Sequence, residues 1–329
     1  MRKLASIRTI SELLPIEGAD KIELAIIDSW RVVVSKGLEI GSKVVYCEID
    51  SFLPIKPEFE FLRKSCYKKL IDGQEGFRLK TIRLRGQISQ GLCIPLESLP
   101  QIAHKEIGDD VSDILGIVKY EPPISAQLQG LVKGNFPSFL KKTDEERVQN
   151  LTSEYTNYSN LQGFYATEKL DGSSATFYLK DGEFGVCSRN LELKEDVNNT
   201  FWKVAKALDV REKLETLPFN ACLQGELIGE GIQGNPYKIR GHSVRFFNLF
   251  NIDTYKTMPA EDLVVFCSQV DLKTVPIRNI TLPASIDELL IMAEGKSELF
   301  DTEREGLVIR SLDSSISFKV ISNKFLLSA

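Results

Sequence analysis

The chain has 329 residues, 43% apolar and 26% charged, which is ordinary globular composition and length enough for two separately cored domains. No apolar run approaches the roughly 20 residues that span a bilayer. Met1-Arg2-Lys3-Leu4 leads into polar sequence rather than a signal-peptide core, so a cytoplasmic protein with no membrane partner is expected. Net charge is −5, with 18 basic and 18 acidic residues up to position 130 and 23 and 28 beyond it, so a polyanion would have to meet a local basic surface.

The N-terminal part reads as short strands. Lys21 to Val34 alternates or runs apolar (Ile22, Leu24, Ile26, then Trp30, Val32, Val34), Gly37 and Gly41 punctuate it, and Val44 to Ile49 is the next apolar run. In the segment Gly76 to Leu84, Arg78 and Lys80 share one parity, while Arg83 and the following Arg85 share the other. A bulge near Thr81 would bring all four to one face. Short strands, glycine turns and little helix predict a small barrel of the OB type, which commonly binds oligonucleotides on its strand face. Phe77 beside the four cations offers a base-stacking platform for RNA. The alternative is a charged strand edge that blocks aggregation.

Tyr120 to Asn135, with Pro122-Pro123 and Gly130, reads as a linker, so the expected domains are 1–128 and 129–329. Thr143-Asp-Glu-Glu146 has the form of a capping box opening a short helix, and Val197, Phe201, Val204 and Leu208 recur at helical spacing. The six cysteines (Cys47, Cys66, Cys93, Cys187, Cys222, Cys267) are scattered and read as free thiols, mostly buried. His104 and His242 stand apart, which gives no support to a zinc site or a histidine-based nucleophile pair.

The chemistry lies beyond residue 160, in Glu168-Lys169-Leu170-Asp171-Gly172. If Tyr165 to Asp171 is extended, Lys169 and Asp171 share a side, and Gly172 opens the turn into Ser173 to Leu179. Asp181-Gly182 is a hairpin signal that returns the chain along Glu183 to Arg189, close to the Lys169 pocket. Gly225-Glu226, Glu305-Gly306 and Phe318-Lys319 follow in order, each on a short apolar segment. A lysine amine attacks a phosphoryl group only when unprotonated, and its free pKa is roughly 10.4. Burial, Lys319 and a divalent metal are therefore expected to lower that of Lys169. Charge developing on phosphoryl oxygens and on leaving pyrophosphate needs metal and cationic groups. Asp171, Glu226 and Glu305 are the hard oxygen groups available to position hydrated Mg²⁺.

These residues carry a resemblance. Glu168-Lys-Leu-Asp-Gly172, Ser188-Arg189-Asn190, Gln224-Gly-Glu226, Phe246-Phe-Asn-Leu-Phe-Asn-Ile252, Glu305-Gly-Leu-Val-Ile309 and Phe318-Lys-Val320 resemble motifs I, Ia, III, IIIa, IV and V of the covalent nucleotidyltransferases. The nearer likeness is to the fifth family of ATP-dependent RNA ligases, whose members carry an N-terminal OB domain. Lys3-Leu-Ala-Ser-Ile-Arg8, Cys47-Glu-Ile-Asp-Ser-Phe52, Arg83-Leu-Arg-Gly-Gln-Ile-Ser-Gln-Gly91 and Thr143-Asp-Glu-Glu-Arg-Val-Gln-Asn150 are similar to that family too.

The resemblance implies an α+β chain, an OB-type barrel followed by an ATP-grasp-like nucleotidyltransferase domain of antiparallel sheets with flanking helices. It implies ATP and Mg²⁺ or Mn²⁺ as cofactors, and RNA, as a duplex nick with RNA on the 3′-OH side, as substrate. Lys169 would form lysyl-AMP, Glu168 would lie against adenine by its backbone, Phe250 would stack on adenine, and Arg189 would contact ribose or phosphate. Glu226 would hold ribose and a metal shell, Glu305 the catalytic metal, and Lys319 the α-phosphate. Arg78, Lys80, Arg83 and Arg85 are the candidate RNA contacts. In the family a second lysine often follows the motif V lysine after one residue. Here Ile321 stands there and Lys324 comes later. With ten residues after Lys319, the OB domain that DNA ligases and capping enzymes place after motif V is not expected. No feature points to a protein partner. A GTP-dependent guanylyltransferase and a non-catalytic RNA-binding barrel are the alternatives.

Overall fold

The apolar alternation near the N-terminus becomes a set of short antiparallel strands. In the computed structural model, which describes residues 2–70, 73–121 and 130–328, they are β1 (Ala5–Thr9), β2 (Glu12–Pro15), β3 (Ile22–Ile27), β4 (Trp30–Ser35), β5 (Lys43–Cys47), β6 (Ser51–Pro54), β7 (Tyr67–Lys69), β8 (Glu75–Arg78), β9 (Thr81–Leu84), β10 (Gln87–Gln90), β11 (Leu92–Pro95) and β12 (Val118–Lys119). Their orders are β1-β5-β11, β2-β3-β4, β12-β6-β8-β7 and β10-β9. The run Val44 to Ile49 is apolar without alternation because β5 feeds two cores. Val44 and Tyr46 join Trp30, Val32 and Val34, whereas Val45 and Cys47 join Ala5, Ile7, Leu53 and Phe77.

Two expectations fail here. Gly76 to Leu84 is not one strand, since β8 ends at Arg78 and β9 begins at Thr81 in another sheet. No bulge near Thr81 is needed, because β9 and β10 pair in unbroken register around the turn Arg85-Gly86 and leave both parities of β9 open. Both turn residues have positive φ, 47° and 80°, as a two-residue hairpin of this twist requires. Phe77 is fully buried in the core and offers no face to a base.

The rest of the chain builds two further antiparallel sheets. One orders as β13-β17-β16-β15-β18-β19-β20, from β13 (Val132–Asn135), β15 (Ser173–Lys180), β16 (Glu183–Cys187), β17 (Leu191–Leu193), β18 (Ala221–Gly229), β19 (His242–Asn251) and β20 (Lys256–Thr257). The other orders as β21-β14-β22-β23, from β14 (Phe164–Lys169), β21 (Ile277–Ile280), β22 (Gly306–Ser311) and β23 (Ser317–Ile321). Helices Thr200–Ala207 and Ala260–Gln269 cover the larger sheet through Phe201, Val204, Leu263 and Phe266. The first of them starts at its Asn199 cap, whose side chain accepts from the N–H groups of Phe201 and Trp202, so Val197 lies outside it and is exposed.

The described residues divide into two compact units. The first takes residues up to 121 with Gln149–Thr152 and the residues from Leu326, and the second takes 130–148 and Ser153–Phe325. Of the expected linker, Pro122-Pro123 lies outside the described residues, and Val132–Asn135 is a strand paired to β17. The capping box at Thr143 does not form, because 141–146 is neither helix nor strand and its carboxylates are engaged elsewhere. Glu145 pairs with Arg310 and Asp144 with Lys319.

Candidate active site

β14 delivers Lys169 to the end of the smaller sheet, in register with Gly306 of β22. Gly306 has to be glycine, since a Cβ there would come within 2.2 Å of the Val320 carbonyl oxygen on β23. The loop after Lys169 is pinned by Leu170, buried with Ile228, Tyr237 and Val275, and by the Asp171 N–H, which donates to the Tyr237 hydroxyl at 2.7 Å. Gly172 then crosses β18 so closely that a Cβ would meet the Leu227 carbonyl oxygen at 2.5 Å and Glu226 Cγ at 2.8 Å. The glycine of Lys-x-Asp-Gly is thus a steric requirement for carrying the chain past Glu226.

Lys169 Nζ lies 2.7 Å from both Glu305 oxygens. Burial pulls the amine down, but Glu305, Glu226 and Asp171 together hold it above its ordinary value. The protein groups alone therefore do not lower this amine, because carboxylates outnumber cations around it, and the lowering expected with a divalent metal would have to come from that charge. The lowered lysine is Lys319, brought down to about 8 by burial, with Arg147 and Lys169 adding to the fall and Asp144 opposing it. Lys319 Nζ donates to Asp144 Oδ1 at 3.0 Å, and Arg189 Nη2 lies 3.4 Å from the same oxygen. Glu168 is buried, its N–H donates to the Pro276 carbonyl and its Oε2 accepts from the Glu298 N–H, leaving Oε1 buried without a hydrogen-bond partner.

Family comparison agrees with this geometry. A model of the RNA ligase family matches residues 162–324, and a model of an OB-fold domain matches residues 4–96. The solved Naegleria gruberi RNA ligase with PPi is 43% identical over 99% of this chain and 98% of that chain, with a TM-score of 0.94. The chain belongs to the RNA ligase family. A lysine-to-alanine mutant of the Naegleria gruberi ligase with ATP and Mn matches at 42% identity over 98% of each chain, TM-score 0.93. A lysine-to-methionine mutant of it with AMP and Mn matches at 43% over 99% and 98%, TM-score 0.93. No curated protein sequence matches. Among the described residues, no helix is long and apolar enough to cross a membrane.

In this ligase, three carboxylates face one lysine. Burial, then Glu305, push Asp171 up to about 6 against the pull of Lys169. Burial pushes Glu226 up to about 8, with Lys169 opposing and Glu305 and Asp171 adding. A site so short of positive charge fits a divalent cation. Among the described residues, however, no three His, Cys, Asp or Glu side chains form a closed cage. The donor set therefore fits a hydrated cation held through water and substrate phosphate.

The crowding has a measurable cost. Glu226 binds a proton in the folded state up to about pH 8, whereas an unfolded glutamate loses it near roughly pH 4.3. The destabilisation is thus absent below the lower value and complete above the higher one. Glu226→Gln is expected to raise the Tm of the metal-free ligase by about 2–5 °C at pH 8.5 and by much less at pH 5. A gain of equal size at both pH values in a thermal melt would remove charge crowding as its cause.

Other expected site residues lie elsewhere. Phe250 is fully buried beside Cys222 and Ile252, edge-on to Tyr255 at 5.2 Å, so it is a core residue and has no face for adenine. Phe247 is the partly exposed aromatic of the run, at a register shift opposite Gln224/Gly225, packed on the cluster that contains Leu170 and Tyr237. Lys324 is exposed and pairs with Glu294. In the first unit, Arg78 stacks 4.0 Å from the Tyr120 ring centroid and lies 3.7 Å from Asp50, while Lys80, Arg83 and Arg85 are exposed around the β9–β10 hairpin.

Proposed function

We propose that this ligase uses ATP and a divalent cation, Mg²⁺ or Mn²⁺, to seal RNA 3′-OH and 5′-phosphate ends at nicks in duplexes with RNA on the 3′-OH side. The observation that carries the reading is one lysine amine set among Glu305, Glu226 and Asp171, with a second lysine, Lys319, two strands away on β23.

Lys169 Nζ forms a bond to the α-phosphorus of ATP as the bond to pyrophosphate breaks. An RNA 5′-phosphate oxygen then displaces the lysine to give RNA-adenylate, and the 3′-OH attacks that 5′-phosphorus with release of AMP. The amine must first leave Glu305 and lose its proton, which Glu305 is placed to receive. Lys319 and Arg189 offer positive charge for phosphate oxygens. Bound divalent metal would supply charge stabilisation on the phosphates, and Asp171, Glu226 and Glu305 would hold its water shell. Phe247 replaces Phe250 as the candidate to stack on adenine. The buried, unpartnered Glu168 Oε1 is an acceptor suited to the exocyclic amine of adenine, where guanine presents a carbonyl.

Incubation with labelled ATP or GTP and Mg²⁺ tests the reading. Label from ATP alone supports a ligase, label from GTP a guanylyltransferase, and no label a non-catalytic binder. Sealing assays on matched RNA and DNA nicks then define the substrate. RNA docking falls to the exposed Lys80, Arg83 and Arg85. Replacing all three by alanine is expected to weaken nicked-RNA binding and to flatten log affinity against log salt by about 0.7–0.9 per lost phosphate contact. An unchanged slope would remove the hairpin from RNA docking.

A further inference from the structure

The irregular segment 141–146 bridges the two sheets of the second unit and is fixed at several points. Gln224 Nε2 on β18 donates to the Lys141 carbonyl at 2.9 Å, Glu145 pairs with Arg310 on β22 at 3.0 Å, and the Lys319 N–H on β23 donates to the Glu146 carbonyl at 2.8 Å. Asp144 therefore cannot drift with the loop. Its Oδ1 meets Lys319 Nζ at 3.0 Å and Arg189 Nη2 at 3.4 Å, from the smaller sheet and from the turn after β16 in the larger one. One anionic oxygen held between two cations from different sheets has the coordination of a non-bridging phosphate oxygen.

We infer that Asp144 is a positioning residue that stands in for a nucleotide phosphate, holding Lys319 and Arg189 in their phosphate-binding poses and yielding them when ATP enters. The inference rests on the reading of Lys319 and Arg189 as phosphate contacts. The partners differ in exposure in the way such a placeholder requires. The Lys319 side chain is 12% exposed and stays in the pocket, whereas Asp144 is 39% exposed and can turn to water. Burial works against charge on Lys319 and Asp144 favours it, so the carboxylate also keeps the lysine cationic until phosphate replaces it. The second lysine of the pocket is held alike, Lys169 by Glu305 and Lys319 by Asp144, so each of the two cations waits on its own carboxylate.

A placeholder competes with the ligand it imitates. ATP affinity is measured with Mg²⁺ by calorimetry on the full chain carrying Lys169→Met, so that no covalent step follows binding. Asp144→Asn and Asp144→Ser, each added to that chain, are expected to tighten ATP binding about two- to fivefold, the worth of a partly exposed ion pair. Asp144→Glu should restore the parent affinity within about twofold, and adding Lys319→Ala to Asp144→Asn should remove the gain. ATP binding that is unchanged or weaker in both neutral variants overturns the inference and leaves Asp144 as a tie of the segment. Lys319→Ala by itself should weaken ATP binding. If it does not, Lys319 is no phosphate contact, and the inference fails with its premise rather than through Asp144.

Discussion

Replacing Lys169 by alanine is expected to abolish acid-labile AMP labelling and RNA sealing while leaving a folded chain. The covalent step needs a nitrogen nucleophile at the end of β14, and the other lysine of the pocket, Lys319, sits two strands away in the order β14-β22-β23. Lys319 is brought down to about 8 and is thus the more easily deprotonated of the two. Proton loss by itself would favour Lys319 as nucleophile, whereas position among the three carboxylates favours Lys169. The variant separates these possibilities. The fold should survive, because β14 is held by paired neighbours on both sides and buries Phe164, Tyr165 and Ala166 rather than the lysine. Without the amine, Glu305, Asp171 and Glu226 lose their shared cation, so Tm should drop in chelator and recover on adding Mg²⁺. Labelling of a folded Lys169→Ala chain, mapped by peptide mass to another residue, would overturn the assignment.

The constellation was legible in the sequence because its members are tied to the backbone. Gly172 and Gly306 stand where strands approach too closely for a side chain, next to Lys169, Glu226 and Glu305, and such constraints leave short fixed strings. What was not legible depends on contacts distant along the chain. The rise of Lys169 in the metal-free pocket was hidden because Glu305 pairs with it from 136 residues away. Thr143 to Glu146 obeys a helix-start pattern, yet its two central carboxylates are drawn to Lys319 and Arg310, 175 and 165 residues on, and no helix forms there. Phe250 was named for adenine by its likeness to motif IIIa, and its burial in the core shows only once the strands are paired. The register shift at Gln224/Gly225 changes which face each later side chain takes, and strand parity counted from sequence cannot register it. Phe77 misled more simply, as a strand aromatic beside cations in sequence whose side chain lies in the core.

Glu305 holds Lys169, and it is also proposed to hold the water shell of the metal, so its removal has two opposed consequences. Taking away the carboxylate leaves burial as the first influence on the amine, which should then lose its proton more readily. If restraint of the lysine were the whole role of Glu305, Glu305→Ala would form lysyl-AMP at least as fast as the parent, most visibly at lower pH. If the carboxylate orders metal-bound water, the loss cannot be made good by Asp171 or Glu226, which are already pushed up to about 6 and about 8 by burial and by their neighbours. The second effect is expected to win. Glu305→Ala, and separately Glu226→Ala, should lower sealing by at least about a hundredfold at saturating Mg²⁺. The two variants should differ in the amine itself. Glu226 acts on Lys169 through charge without a hydrogen bond to it, whereas Glu305 contributes both, so only Glu305→Ala should make Lys169 markedly more reactive toward an amine-modifying reagent at pH 8. Sealing near the parent rate in either variant would strip that carboxylate of its metal role. A hundredfold loss with unchanged amine reactivity in Glu305→Ala would show that the ion pair seen here does not govern the nucleophile.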